Sequence, residues 1–458
     1  MNIDLLPILK QINIYLGWPL IIFVVSIAII CTIALGFVQC RYFFKAWKLT
    51  LFPEKVPTDA QEKIDMTPFQ AFVNALSTSL GNGSIAGMAV AMVVGGPGAA
   101  FWMVVVGILT MAIRFSEIFL STYFRAHSTE KSAIGGPMLY LKSMPGGKIL
   151  SWLYAFFCLA FGLIVGNAMQ TNSVRVSALK TFGALGAWKF GPLLIAILVT
   201  LFVAYVVMGG APRVVKMSNR IVPLKVGLFF TATFVVLAYN YQTLLPALQL
   251  IISSAFTPLA MVGGTIGFTI QHAMRVGMFK NIAATESGLG TSAIFFGATG
   301  SKKFVESGIM SMLVTFISTL VGFLICWAII ASGAWESGLA NPELTSTALT
   351  IEAYSSAFGA LAGWMVSFLS ITFGIGVIVG FVYICKECWL FLTNKRFARA
   401  YDIVFCLFAF AGALVKVNVV WESADIIMAC MLVINMSAIL YLLPTIRKKL
   451  AEYKTKKI

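Results

Sequence analysis

Read along its hydropathy, the chain divides into about eleven apolar runs, each long enough to cross a bilayer and bounded by charged residues or Gly/Pro loops. They lie near residues 18–40, 67–94, 99–124, 149–171, 190–208, 219–240, 259–282, 305–332, 354–388, 400–416 and 421–444. Another apolar stretch, about 243–257, is too short to cross and is expected at the membrane interface. With 59% hydrophobic and only 11% charged residues, the chain has too little charge to cover a soluble surface. The first run is too long for a signal-peptide core and lacks a small-residue cleavage site, so it reads as a retained transmembrane helix. The expectation is an all-α polytopic membrane protein.

A net charge of +16 raises the question of a nucleic-acid partner, and its distribution answers it. One set of connections, with the C-terminal tail, holds about 24 Lys and Arg; the opposite set holds about 5 (Lys10, Arg175, Lys180, Lys189, Lys416). That bias predicts an outside N-terminus and a cytoplasmic C-terminus in the cell (inner) membrane. The charge is a topology signal, and nucleic acid drops out as a partner. The lipid bilayer is the partner that remains, and the basic tail can also touch anionic lipid.

Eleven spans parse as one leading helix plus ten. Ten is the count of two five-helix repeats of inverted topology, in which the first helix of each repeat is broken at mid-membrane. Gly81-Asn82-Gly83-Ser84-Ile85-Ala86-Gly87 interrupts the first span of the ten, and Gly263-Gly264-Thr265-Ile266-Gly267-Phe268-Thr269 the sixth. Glycines weaken a helix and free backbone N–H and C=O groups for a ligand. Interruptions at corresponding positions of two halves point to a binding site. The bland alternative is close helix packing through small residues. The segments are then 1–65 (leading helix and loop), 66–242 and 243–444 (the two repeats), and 445–458 (basic tail).

No nucleotide loop, zinc framework or hydrolase elbow is visible, so an enzyme is not expected, nor a cofactor or bound metal. Most of the eight cysteines read as small packing residues; Cys385 and Cys388 form a CxxC with no second pair and no nearby histidine. An ion channel is disfavoured, since no filter-like segment is present.

The residues carry a resemblance as well. GNGSIAG, followed by GGPGAAFW, RFSEIFLSTYFR, GGPMLYL, GNAMQTNS, ESGLGTSAI and WESADI, resembles in order and spacing the alanine/glycine:cation symporter family over nearly the whole chain. The resemblance implies a secondary transporter with the leucine-transporter fold (the APC superfamily type), carrying small neutral amino acids with sodium. A zwitterion suits the broken helices. Its carboxylate can meet freed N–H groups around Gly81, Asn82, Gly83 and Ser84, and its ammonium carbonyls around Gly264, Gly267 and Phe268. GNAMQTNS puts Asn167, Gln170 and Asn172 on the third core helix, with Gln170 a candidate substrate partner. Arg114 and Glu117, three apart, are expected to pair on one helix face. Glu286 is read as gating or structural, His272 as a lesser candidate for protonation, and Asp425 as a helix cap or interface residue.

Departures from the family fall on polar positions. Its Thr and Asn in the first glycine motif are Asn82 and Ser84; an acid in the seventh core helix is Ser318; a Thr-Thr pair in the eighth is Gly376-Val377. Sodium needs oxygen ligands, and neither Gly376 nor Val377 has a side-chain oxygen. Lys225 stands where the family has an apolar residue, about 7–8 Å deeper along its helix than Arg220. Two readings follow: Lys225 places its ammonium where sodium would sit, with a proton as possible coupling ion, or it snorkels to the headgroups. Sodium-coupled symport, as in the rest of the family, is the alternative function.

Overall fold

The computed structural model describes residues 5–53, 65–128, 135–182, 188–257, 269–341, 344, 346–414 and 418–455, and every regular element among them is helical. The helices used below are α1 (Leu5–Ala34), α2 (Pro68–Ser79), α3 (Ala86–Gly95), α4 (Gly98–Ala126) and α5 (Gly147–Phe161). A π-helical turn (Gly162–Ala168) carries α5 into α6 (Met169–Thr181). Then come α7 (Gly191–Met208), α8 (Gly210–Tyr239), α9 (Leu244–Phe256), α10 (Ile270–Thr285) and α11 (Phe304–Ala331). The last four are α12 (Thr347–Phe358), α13 (Ala362–Leu392), α14 (Ala398–Leu414) and α15 (Asn418–Thr455).

Eight helices among the described residues are long and apolar enough to cross a membrane. The bent pair of α2 with residues Asn82–Gly95 makes a ninth. The count of eleven is not reached. The run near 400–416 forms α14, a helix of only 17 residues. The described part of 259–282 is α10, with 16 residues. The short stretch near 243–257 forms the 13-residue α9. This is a multi-pass membrane protein, since lipid admits only backbones that satisfy their own hydrogen bonds.

Helices α4, α11 and α13 are buried along most of their apolar length, whereas α1, α7 and α8 leave most of theirs uncovered. An all-round apolar helix can do either, because lipid replaces protein as the apolar neighbour. α13 packs against α2, α6 and α8, and α10 against α3 and α4. The broken span α2/α3 is thereby enclosed by inner helices.

Candidate functional site

The broken span begins with strong local signals. Thr67 caps α2 by accepting from Gln70 N at its Oγ1, Thr67 N donates back to Gln70 Oε1, and Pro68 takes the first turn. Helical geometry stops at Ser79, and Gly81 is extended (φ −111°, ψ −173°). After one 3₁₀ turn, Asn82–Ser84, the chain resumes as α3 at 58° to α2. No side chain caps the start of α3. Its first N–H groups therefore lack intrahelical partners and carry the positive end of the helix dipole. A Cβ at Gly83 or at Gly87 would meet nothing within 4 Å. The uncapped turn adjoins open space, and a ligand can approach its backbone.

At the other side of the break the orphan carbonyls of α2 have a cationic partner. Lys225 Nζ donates to Ser77 O at 2.8 Å and Leu80 O at 2.7 Å. Its side chain is fully buried and lies over the Phe373 ring at 5.3 Å. It reaches into the break, not out to headgroups. A helix C-terminus is where a cation gains most from the dipole, and the low-dielectric surroundings strengthen the contact. Gly376 and Val377, on α13, close the site: Ser77 Oγ donates to Gly376 O at 2.8 Å, and Val377 packs against Gly81. The three helices α2, α8 and α13 meet at one ammonium.

Beside it runs a chain of side-chain hydrogen bonds. Asn82 Nδ2 donates to Gln170 Oε1 at 3.3 Å, Ser370 Oγ to Asn82 Oδ1 at 2.7 Å, and Ser177 Oγ to Ser370 Oγ at 2.8 Å. Gln170 Nε2 donates to Val165 O at 3.2 Å, inside the π-helical turn. Gln170 thus faces the break, while Asn167 and Asn172 hold α14 through Phe405 O (2.8 Å) and Gly412 O (3.1 Å). Ser84 stays close to the break, its Oγ 3.5 Å from Ser79 O.

The model of the sodium:alanine symporter family matches residues 4–458. The chain belongs to that family. It is 31% identical to a sodium/alanine symporter of Methanococcus maripaludis over 444 residues, which is 96% of this chain and 95% of the relative. A probable sodium/glutamine symporter of Bacillus subtilis is 28% identical over 443 residues, covering 96% and 88%. A putative sodium/proton-dependent alanine carrier of the same organism is 24% identical over 453 residues, covering 96% and 90%. This chain is a sodium:alanine symporter-type amino-acid transporter.

Within the symporter-family chain, the expected pair of Arg114 and Glu117 forms at 3.4 Å with both side chains fully buried. Arg114 also donates to Thr315 Oγ1 (3.3 Å) and to the carbonyl of Thr285, which Ser79 Oγ reaches at 3.3 Å. Glu117 Oε1 accepts from Gly290 N and Asn435 Nδ2, both at 2.8 Å. Ser318 is buried on α11 without a hydrogen-bond partner for its Oγ among the described residues. His272 sits in the first turn of α10, whose cap is Thr269. Asp425 lies seven residues into α15, so it does not cap that helix; α15 begins at Asn418. Gly264, Gly267 and Phe268 lie outside the described residues. Ser77, Ser177 and Ser370 were missed in the sequence, where a serine in an apolar run carries no positional signal.

Proposed function

We propose that this chain carries small neutral amino acids of the alanine or glycine type by alternating access, with the Lys225 ammonium in the place of a coupling sodium ion. The reading includes a leading helix followed by two inverted five-helix repeats, and a cytoplasmic C-terminus. One observation carries it: Lys225 Nζ lies on the carbonyls of Ser77 and Leu80, beside a residue 376 that has no side chain. Two carbonyls of a broken helix, next to residues 376 and 377 with no side-chain oxygen, form a cation site whose cation is covalently attached. The uncapped turn at Gly83–Gly87 supports carboxylate binding, and Gln170 and Asn82 give it a polar wall. Phe268 caps the substrate's side chain in this reading, so Phe268→Ala should shift preference toward larger amino acids by about 1–3 kcal/mol.

Labelled-alanine uptake into proteoliposomes, with and without sodium and at two external pH values, tests the proposal. Saturable uptake that ignores sodium and is lost in Lys225→Ala is expected. Uptake driven by a sodium gradient, with Lys225→Ala behaving as wild type, would return the chain to the sodium coupling named for its relatives.

A further inference from the structure

The last turn of α2 is held by contacts from α8 and from the end of α10. Lys225 holds the Ser77 and Leu80 carbonyls. Ser79 Oγ donates to the carbonyl of Thr285 at 3.3 Å, and the next residue along the chain is Glu286. Glu286 Oε2 accepts from Thr291 Oγ1 at 2.7 Å. Arg114 also donates to the carbonyl of Thr285, the residue before Glu286.

The backbone at Glu286 is unusual. It is the C-cap of α10 and sits in the left-handed region, at φ 53° and ψ 22°. Glycine fills such a position at least cost. A glutamate there adds a strained backbone to the desolvation of a buried carboxylate. Ending a helix needs neither.

Charge bookkeeping gives the carboxylate a use. The buried charged side chains among the described residues are Arg114, Glu117, Lys225 and Glu286. Arg114 and Glu117 pair directly. Lys225 and Glu286 remain, the first on the carbonyls of Ser77 and Leu80, the second next to the Thr285 carbonyl that Ser79 reaches.

We propose that Glu286 is the positioning residue for Lys225: its buried carboxylate, next to the Thr285 carbonyl that the last turn of α2 reaches, supplies the counter-charge that keeps the ammonium on the broken-helix carbonyls. The proposal rests on the reading of Lys225 as a built-in cation. It gives the two charges one mechanical role, since displacing that turn from α8 or from α10 pulls them apart. Arg114 reaches the neighbouring Thr285 carbonyl and is itself paired with Glu117.

A thermal cycle on the full-length protein in detergent tests it. Melting temperatures are measured without substrate for wild type, Glu286→Gln, Glu286→Gly, Lys225→Met and Lys225→Met/Glu286→Gln, alongside alanine uptake by the single variants. Expected are lower Tm for both Glu286 variants, uptake cut by about tenfold or more, and recovery by the double variant of most of the Tm lost in Glu286→Gln. A purely structural cap predicts the reverse: Glu286→Gly as stable as wild type with normal uptake, and losses in the double variant that add. Either result overturns the proposal. Should Glu286→Gln not be recovered as monodisperse protein, recovery of the double variant is the supporting outcome, and loss of both overturns it. The cycle reports the pairing by itself; sodium-driven uptake with a normal Lys225→Met would instead overturn the reading of Lys225 beneath it.

Discussion

A Cβ built on Gly376 would lie 2.6 Å from the Lys225 ammonium nitrogen. Glycine at 376 and lysine at 225 therefore divide one volume between them. The same Cβ would stand 3.1 Å from Ser77 Oγ, so the crowded point is the seam of α2, α8 and α13. A side chain at 376 would have to share its space with the lysine's end.

Gly376→Ala should accordingly cost stability and transport together. The lysine's end is flexible and can retreat, but only by giving up the carbonyls of Ser77 and Leu80. A loss of about 1–3 kcal/mol is expected, as for other overpacked sites. Chemical denaturation of the purified protein measures it. In a Lys225→Ala background the methyl has space, and the added loss should disappear.

Gly83→Val separates ligand contact from folding. Nothing lies within 4 Å of a Cβ there, so the variant should stay within about 0.5 kcal/mol of wild type. A branched side chain beside the uncapped turn of α3 would still obstruct a carboxylate. Alanine uptake should vanish from a protein that runs as a monodisperse peak. Uptake at wild-type affinity would place the substrate elsewhere.

Ser370→Ala should loosen the polar wall of the site. Asn82 Oδ1 loses its donor at 2.7 Å, and Ser177 loses its acceptor. An unsatisfied buried amide oxygen costs about 1–3 kcal/mol, and the Asn82–Gln170 contact loses its anchor. KM for alanine should rise. Asn167→Ala is the control, because Asn167 holds α14 through Phe405 O and does not touch the break: stability should fall while KM stays put.

These contrasts show what could be read from residues alone. Glycine spacing located the first broken helix, because three glycines in an apolar run have few other uses. Arg220 and Lys225 do share one helix, α8. The division of labour among Asn167, Gln170 and Asn172 was not legible. A π-helical turn at Gly162–Ala168 shifts the register of the following side chains, and helical periodicity does not anticipate it. Hydropathy marks an apolar run near 400–416, but α14 has 17 residues, held by Asn167 and Asn172 at two of its carbonyls.

Glu117→Ala is the variant expected to do most harm. The carboxylate joins four parts of the chain: Arg114 on its own helix, the Gly290 amide after α10, Asn435 on α15, and through Asn435 the Tyr140 hydroxyl and the Gly288 carbonyl. Removing it leaves the Arg114 guanidinium buried and unmatched, a change that costs about 3–5 kcal/mol. Arg114 also reaches the Thr285 carbonyl shared with Ser79, so the disturbance arrives at the break of α2. Both stability and uptake should fall. Arg114→Met alone should also destabilise, since it leaves the carboxylate uncompensated. The double variant Arg114→Met/Glu117→Ala removes both charges, and its loss should be smaller than the sum of the single losses by at least about 1 kcal/mol. Additive losses would mean that the two groups serve separate neighbours instead of each other, and that the α4–α15 junction does not depend on their charge.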